Sequence, residues 1–225
     1  MNIKHTFILP LFFLVTTVAG AQSLELWRDS LTTLKKQAEL QPKSVELQLS
    51  IAAVNLQLLE WEDAVQACNS VLTADGNNLP ALFYRAYANN NLRRYELAKN
   101  DYEQFLSIAP RNMEARLGLA YTYTKLKRNT DALDEMNNLV EMYPDSSIVY
   151  EARAEVEKSM KSYDTALFDL DEALKRAPGK RDLYISKAET LLCLNRKKDA
   201  KNTLDEAVRN GTPKGLLLDW YKKCE

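Results

Sequence analysis

Apolar positions along most of this chain recur at the three- and four-residue steps of a helix, not at the alternate positions of a strand. Leu47, Ile51, Val54 and Leu58 follow one another at steps of four, three and four residues. Short polar stretches such as Arg93-Arg94 separate successive apolar runs. The pattern predicts pairs of antiparallel helices, each of about three turns.

The helical pattern repeats every 34 residues. Two rows of alanines keep this period: Ala52, Ala86, Ala120, Ala154 and Ala188, and Ala64, Ala98, Ala132, Ala166 and Ala200. Prolines at 110, 144 and 178 keep it as well and are expected to end the second helix of each pair. Because one helix pair cannot bury its apolar faces alone, successive pairs must stack. The sequence therefore predicts an all-α solenoid of helix-turn-helix repeats.

Five units, 45–78, 79–112, 113–146, 147–180 and 181–214, resemble the tetratricopeptide repeat family. That family has a 34-residue helix–turn–helix unit, with small residues at its eighth and twentieth positions and an aromatic residue near its seventeenth. Trp61, Tyr95 and Tyr163 fill the aromatic position, whereas Asn129 and Lys197 depart from it. The resemblance implies a right-handed α-α superhelix that serves as a protein–protein interaction scaffold.

The N-terminal segment, residues 1–21, has the pattern of a secretory signal peptide. Lys4 precedes an apolar run that is too short to span a membrane comfortably, and the small residues Ala19-Gly20-Ala21 follow it. We expect cleavage after Ala21 and an exported protein, periplasmic or secreted, that keeps no stable membrane anchor. An uncleaved anchor is the alternative.

Two segments flank the repeats. Residues 22–44 carry an apolar helical pattern and are expected to form an N-terminal helix that corresponds to the second helix of a partial repeat. Residues 215–225 are expected to form a capping helix whose core residues are Leu217, Leu218 and Tyr221. Capping is expected because the open end of a solenoid exposes apolar surface.

Charge and residue types argue against several functions. The chain has 30 Lys and Arg against 31 Asp and Glu, so it lacks the basic excess of a nucleic-acid-binding surface. His5, the single histidine, lies in the segment expected to be removed, which leaves no usual general base or neutral metal ligand. With no phosphate-binding loop either, the sequence predicts no enzyme, no metal site and no cofactor.

The cysteines suggest two environments. Cys68 stands where helices pack and is expected to be a buried, unpaired thiol. Cys193 and Cys224 fall on neighbouring first helices of the predicted stack, so either a disulfide between them or two free thiols agrees with the sequence.

The family resemblance implies a concave surface lined by the first helix of each unit. Mapped onto this chain, its partner-binding positions are Leu49, Leu56, Phe83, Tyr87, Asn90, Asn91, Tyr121, Thr124, Lys125, Glu151 and Glu155. The first of these are apolar, aromatic or amide side chains, and the last lean acidic. Such a surface suits an extended peptide segment or another protein as partner.

Alternatives remain at three levels. Phe83 and Tyr87 either line the groove or pack into the core. The protein is either a binding scaffold or a periplasmic enzyme or enzyme accessory whose groove holds glycan or peptide. Self-association through an exposed end of the solenoid is a third interpretation.

Overall fold

The structure, a computed structural model, describes the backbone from residue 17 and the side chains from residue 24 to the C-terminus. Residues 1–16, most of the predicted signal segment, lie outside the described part. The described part is α-helical apart from turns and one short 3₁₀ segment, which confirms the predicted all-α class. Its helices are α1 Thr17–Leu40, α2 Val45–Gln57, α3 Trp61–Ala74, α4 Leu79–Asn91, α5 Tyr95–Ile108, α6 Met113–Lys125, α7 Asn129–Met142, α8 Ser147–Ser159, α9 Tyr163–Arg176, α10 Arg181–Cys193, α11 Lys197–Arg209 and α12 Leu218–Lys223.

The helix starts repeat every 34 residues. First helices of the five units begin at residues 45, 79, 113, 147 and 181, and second helices begin at residues 61, 95, 129, 163 and 197. The second helices of the third and fifth units begin at Asn129 and Lys197, although neither residue is aromatic. The chain divides into two compact units, one up to Phe105 and the other from Leu106 to Glu225. Within each unit consecutive helices pack against each other, as in an α-solenoid.

Both rows of alanines lie at the helix crossings. Each of the ten side chains is at most 1% exposed. A methyl group at these positions lets the neighbouring helix approach closely, whereas a larger side chain would force the two helices apart. The burial of both rows agrees with this steric requirement.

The turn between the two helices of each unit depends on one residue with left-handed backbone. Leu59, Arg93, Lys127, Lys161 and Asn195 occupy this position and have φ between 58° and 63°. In each turn the following N–H donates to a carbonyl oxygen near the end of the first helix, as Glu60 does to Asn55 at 2.8 Å. No glycine stands at these sites, so every unit carries the steric cost of an L-residue in this conformation, about 1–2 kcal/mol.

Polar side chains cap the N-termini of three first helices, and prolines follow the C-termini of three second helices. Ser44, Asn78 and Asn112 accept hydrogen bonds from backbone N–H groups in the first turns of α2, α4 and α6. These side chains satisfy donors that a helix start leaves without a partner. Prolines 110, 144 and 178 lie two residues beyond the ends of α5, α7 and α9, as predicted.

The N-terminal helix α1 packs against α2 and buries Leu31, while Trp27 is 40% exposed. The predicted cleavage sequence Ala19-Gly20-Ala21 falls within the first turns of α1. No described helix is both long enough and apolar enough to cross a bilayer.

The C-terminal segment differs from the single helix that the sequence predicts. A 3₁₀ turn, Lys214–Leu217, precedes the short α12. Leu217 is fully buried and Tyr221 donates to Asp205 at 2.7 Å, but Leu218, expected in the core, is 51% exposed. A 3₁₀ turn has fewer residues per turn than an α-helix, so the apolar face rotates away from the expected register.

All three cysteines are free thiols, so the alternative without a Cys193–Cys224 disulfide is the one that the structure shows. Cys68 is fully buried, and its burial raises the pKa of the thiol to about 12, in agreement with the prediction. Cys193 and Cys224 are free thiols. The Cys224 thiol donates to the Trp220 carbonyl oxygen at 3.3 Å within the last helix.

Candidate functional site: the first-helix faces

The predicted binding residues lie on α2 and α4 in the first of the two compact units and on α6 and α8 in the second compact unit. We call the surface formed by α2 and α4 the first-helix face of unit 1, and the surface formed by α6 and α8 the first-helix face of unit 2. Here units 1 and 2 are the two compact units, each of which contains several repeats.

On the first-helix face of unit 1, Leu56 is 6% exposed and packs with Ala64, Val65 and Ala88. The side chain therefore points into the helix pair, although the family register assigns it to the groove. Leu49 is half-buried and packs against the cluster around Leu31. Because Leu56 is buried, it is not part of the candidate binding surface.

The two aromatic side chains of α4 are engaged in packing. Phe83 makes edge-to-face contacts with Tyr102 and Phe105 of α5, with ring centroids 5.9 and 6.0 Å apart. Tyr87 contacts Trp61 of α3 in the same way at 5.9 Å. Both rings are only partly buried, yet these contacts favour the alternative in which they stabilise the helix packing.

The two amides that follow differ in exposure. Asn90 is 7% exposed and hydrogen-bonds the side chain of Tyr102, so it is not a surface donor. Asn91 is exposed, and its Nδ2 donates to the Tyr87 carbonyl oxygen at 2.9 Å. Of this predicted pair, Asn91 alone lies at the surface.

The first-helix face of unit 2 presents its aromatic side chain to solvent. Tyr121 is 47% exposed, and the Lys125 Nζ lies 4.9 Å from the centre of its ring. Ile148, at the start of α8, is 52% exposed. Thr124 donates its hydroxyl to the Ala120 carbonyl oxygen at 2.9 Å, which ties this side chain to its own helix.

The two glutamates of α8 are paired with lysines. Glu151 accepts from Lys180 at 2.5 Å, and Glu155 accepts from Lys158 at 2.7 Å. The Ser186 hydroxyl of α10 joins the second pair, because it donates to Glu155 and accepts from Lys158. The acidic character expected of this surface is therefore compensated, and among the described residues Lys125 has no carboxylate partner.

A polar cluster that the sequence did not predict connects α7, α8 and α9 in the second compact unit. Arg153 of α8 donates from Nε and Nη2 to both carboxylate oxygens of Asp169 in α9, at 2.6 and 2.7 Å. Its Nη1 donates to Asn137 of α7 at 3.0 Å. We call this group the Arg153 clamp.

The second repeat, in the first compact unit, contains the same arrangement. Arg85 donates to both oxygens of Asp101, at 2.9 and 2.6 Å, and to Asn69 at 2.7 Å. We call it the Arg85 clamp. Each of its residues stands 68 residues, or two repeats, before its counterpart, and that spacing of identical residue types is the signal that would have revealed both clamps.

A shallow cavity of about 340 Å³ lies between α9, α10 and α11. These helices belong to the fourth and fifth repeats. In the fifth repeat Lys187 stands where the clamp has its arginine, and Thr203 stands where the clamp has its aspartate. Lys187 pairs with Asp171 of α9 at 2.6 Å. Within the described residues no group of His, Cys, Asp and Glu side chains is arranged to hold a metal ion.

Comparison with known proteins gives matches of two kinds. Residues 92–156 match the sequence model described as tetratricopeptide repeat. Peptidyl-prolyl cis-trans isomerase FKBP4 of Homo sapiens is 34% identical over 62 residues, which are 28% of this chain and 14% of that protein. The chain thus matches only a small part of the length of this curated relative.

Solved structures match over far more of the chain. A tetratricopeptide repeat protein from Parabacteroides merdae ATCC 43184 has a TM-score of 0.71 at 21% identity, covering 92% of this chain and 82% of that one. YrrB, described as a TPR protein with an unusual peptide-binding site, has a TM-score of 0.59 at 19% identity, covering 84% and 97%. These similarities show the fold and support the resemblance to tetratricopeptide repeats.

Proposed function

Proceeding from a tetratricopeptide-repeat fold, we propose that this protein is a non-enzymatic scaffold that binds an extended segment of a partner protein on the first-helix face of unit 2. The observation that carries the proposal is the exposed ring of Tyr121 with Lys125 beside it. An exposed aromatic side chain next to a cation is a common anchor in protein interfaces.

The charges on α8 support this choice of surface. Because Glu151 and Glu155 are paired with lysines, they do not repel a partner's backbone carbonyls or acidic side chains. Ile148 adds exposed apolar area near the start of the same helix. The first-helix face of unit 1 fits less well, since Phe83 and Tyr87 already contact other rings.

We also propose that the protein is exported and acts in the periplasm or outside the cell. The proposal rests on the signal-like pattern of residues 1–21 and on the cleavage expected after Ala21. N-terminal sequencing of the protein from its native compartment tests it. A mature chain that begins at Gln22 supports export, and an intact N-terminus in the cytoplasm contradicts it.

The binding surface is tested by replacing Tyr121 and Lys125 together with Ala. The partner is first identified by affinity capture, and its affinity for each purified variant is then measured by calorimetry. We expect the double variant to bind about 10-fold or more weakly, as hot-spot residues do. Circular dichroism and thermal unfolding should stay close to those of the parent, because both side chains are exposed.

Phe168→Ala is the matched control. Phe168 is 62% exposed but lies on α9, a second helix, and so outside the first-helix face. We expect this variant to bind the partner normally. Loss of binding in the control with retention in the double variant would place the interface elsewhere. Turnover of a glycan or peptide by the purified protein would contradict the scaffold and favour the enzyme alternative.

A further inference from the structure

Glu157 stands one turn after Arg153 on α8, beside the Arg153 clamp. Its Oε2 atom is buried and has no hydrogen-bond partner. Asp169 and Thr165 of α9 are its polar neighbours. A buried carboxylate oxygen without a donor is strongly unfavourable, whereas a neutral carboxylic acid is far easier to bury.

Arg153 cannot neutralise this second carboxyl group. Two of its nitrogens donate to Asp169 and the third donates to Asn137. One guanidinium therefore lies near two carboxyl groups, and each of its three nitrogens hydrogen-bonds a residue other than Glu157. Two neighbouring carboxyl groups in such a site favour a state in which one of them keeps its proton.

We propose that Glu157 carries a proton while α8 and α9 are packed together, and that loss of this proton loosens the helix pair, making the fourth repeat a pH-sensitive element. Asp169 of α9 is the anion that faces Glu157, and Arg153 of α8 is the cation. α7 adds the neutral amide of Asn137 to the cluster. Among the described residues, no charged group of a helix other than α8 and α9 acts on the pKa of Glu157, and Ser186 of α10 bonds Glu155 and Lys158.

The direction of the pH effect follows from the two protonation states. Burial, with the nearby charge of Asp169 second, raises the pKa of Glu157 from 4.5 to about 7, although a hydrogen bond with Thr165 and the charge of Arg153 act in the opposite direction. Between these values the folded repeat binds a proton that the unfolded chain releases. The stabilisation is therefore complete below pH 4.5 and is lost as the pH rises through 7.

The second repeat supplies a matched control within the same chain. Asn89 holds the position that corresponds to Glu157, next to the Arg85 clamp. It is 3% exposed, and its Oδ1 is also buried without a partner. An amide has no proton to lose in this pH range, so the α4 position should not respond to pH.

The proposal is tested with Glu157→Gln, which keeps the shape of the side chain and removes its titration. We expect the variant and the parent to unfold at the same temperature at pH 4.5. At pH 8 the variant should unfold about 3 °C or more above the parent. Asn89→Glu should create a new loss of stability between pH 5 and 8. A Gln variant that tracks the parent at every pH would overturn the proposal.

Two local measurements on the parent protein complement the thermal unfolding of the variants. Carbon-13 NMR of labelled glutamate carboxyl groups should show one midpoint near pH 7 that is absent from Glu157→Gln. Amide hydrogen exchange, corrected for its intrinsic pH dependence, should lose protection in residues 147–176 as the pH rises, by several-fold more than in the corresponding residues 79–108. A Glu157 midpoint between 4 and 5, or equal changes in both segments, would contradict the proposal.

Discussion

The second and fourth repeats of this protein join their helices with the same three side chains but differ in one neighbour. In both, an arginine bonds the two oxygens of an aspartate on the next helix and an asparagine on the preceding one. Beside the Arg85 clamp stands the neutral Asn89, and beside the Arg153 clamp stands Glu157. One position thus decides whether the cluster contains one carboxyl group or two, and so whether it responds to pH.

The third and fifth repeats show that a clamp is not required for stacking. Leu119 replaces the arginine in the third repeat, where Arg116 reaches Glu135 from three residues earlier at 2.5 Å. In the fifth repeat Lys187 bonds the preceding helix instead. What all five repeats share is the pair of buried alanines at the helix crossing. The common fold therefore depends on small side chains, and the polar clusters differ from one repeat to the next.

The largest expected effect comes from removing one arginine. Arg153→Met leaves Asp169, which is 1% exposed, without its counter-ion, and breaking a buried pair in this way costs about 3–5 kcal/mol. Arg85→Met is the matched change, and we expect a somewhat smaller loss because Asp101 is 5% exposed and has no second carboxyl group beside it. Urea unfolding followed by circular dichroism measures both. Equal losses at pH 8 would remove this difference between the two repeats.

Enlarging the alanine at the crossing should affect both repeats alike. Ala86→Leu and Ala154→Leu each insert a bulky side chain where none fits, and overpacking of this kind costs about 1–3 kcal/mol. Thermal unfolding should show a loss in both variants. Ala74→Leu, at an exposed position near the end of α3, serves as control and should change little. A normal melting temperature for either crossing variant would contradict the assigned helix packing.

A smaller effect is expected from the asparagine of each clamp. Asn69→Ala and Asn137→Ala each remove one hydrogen bond from an arginine, and an exposed bond of this type contributes about 0.5–1.5 kcal/mol. Introducing Asn137→Ala into the Arg153→Met variant should have almost no further effect, since the bond is already absent. Additive losses in that double variant would show that Asn137 acts through another contact.

The smallest change concerns thiol reactivity and leaves stability unaltered. Cys193 is exposed and should react with a thiol reagent in the native protein. Cys68 should react only after unfolding, because burial raises the pKa of its thiol to about 12 and blocks access. Mass spectrometry of the labelled protein assigns each site. Rapid labelling of Cys68 in the native state would contradict its buried position in α3.

Much of the architecture follows from the repeat alone. The 34-residue period of Ala52 and Ala64 predicted helix starts that the structure reproduces at regular steps, because a small residue at a crossing is a local requirement. The candidate binding surface was less predictable. Leu56 and Asn90 occupy positions that the family resemblance assigns to the groove, yet both are buried. Which side of a helix a residue presents depends on the neighbours that pack on it, and a repeat register does not contain that information.

The order of residues alone was enough for the helical class, the 34-residue spacing of the helix starts and the buried thiol of Cys68, because these depend on spacing within one repeat. The pairing of Glu151 with Lys180, the contact of Phe83 with Tyr102 and the buried oxygen of Glu157 needed the tertiary structure. These contacts join residues 12 to 29 positions apart, and hydrogen bonds and ring contacts form only when the groups lie within a few ångströms of each other. Only the packed helices bring such groups within that distance.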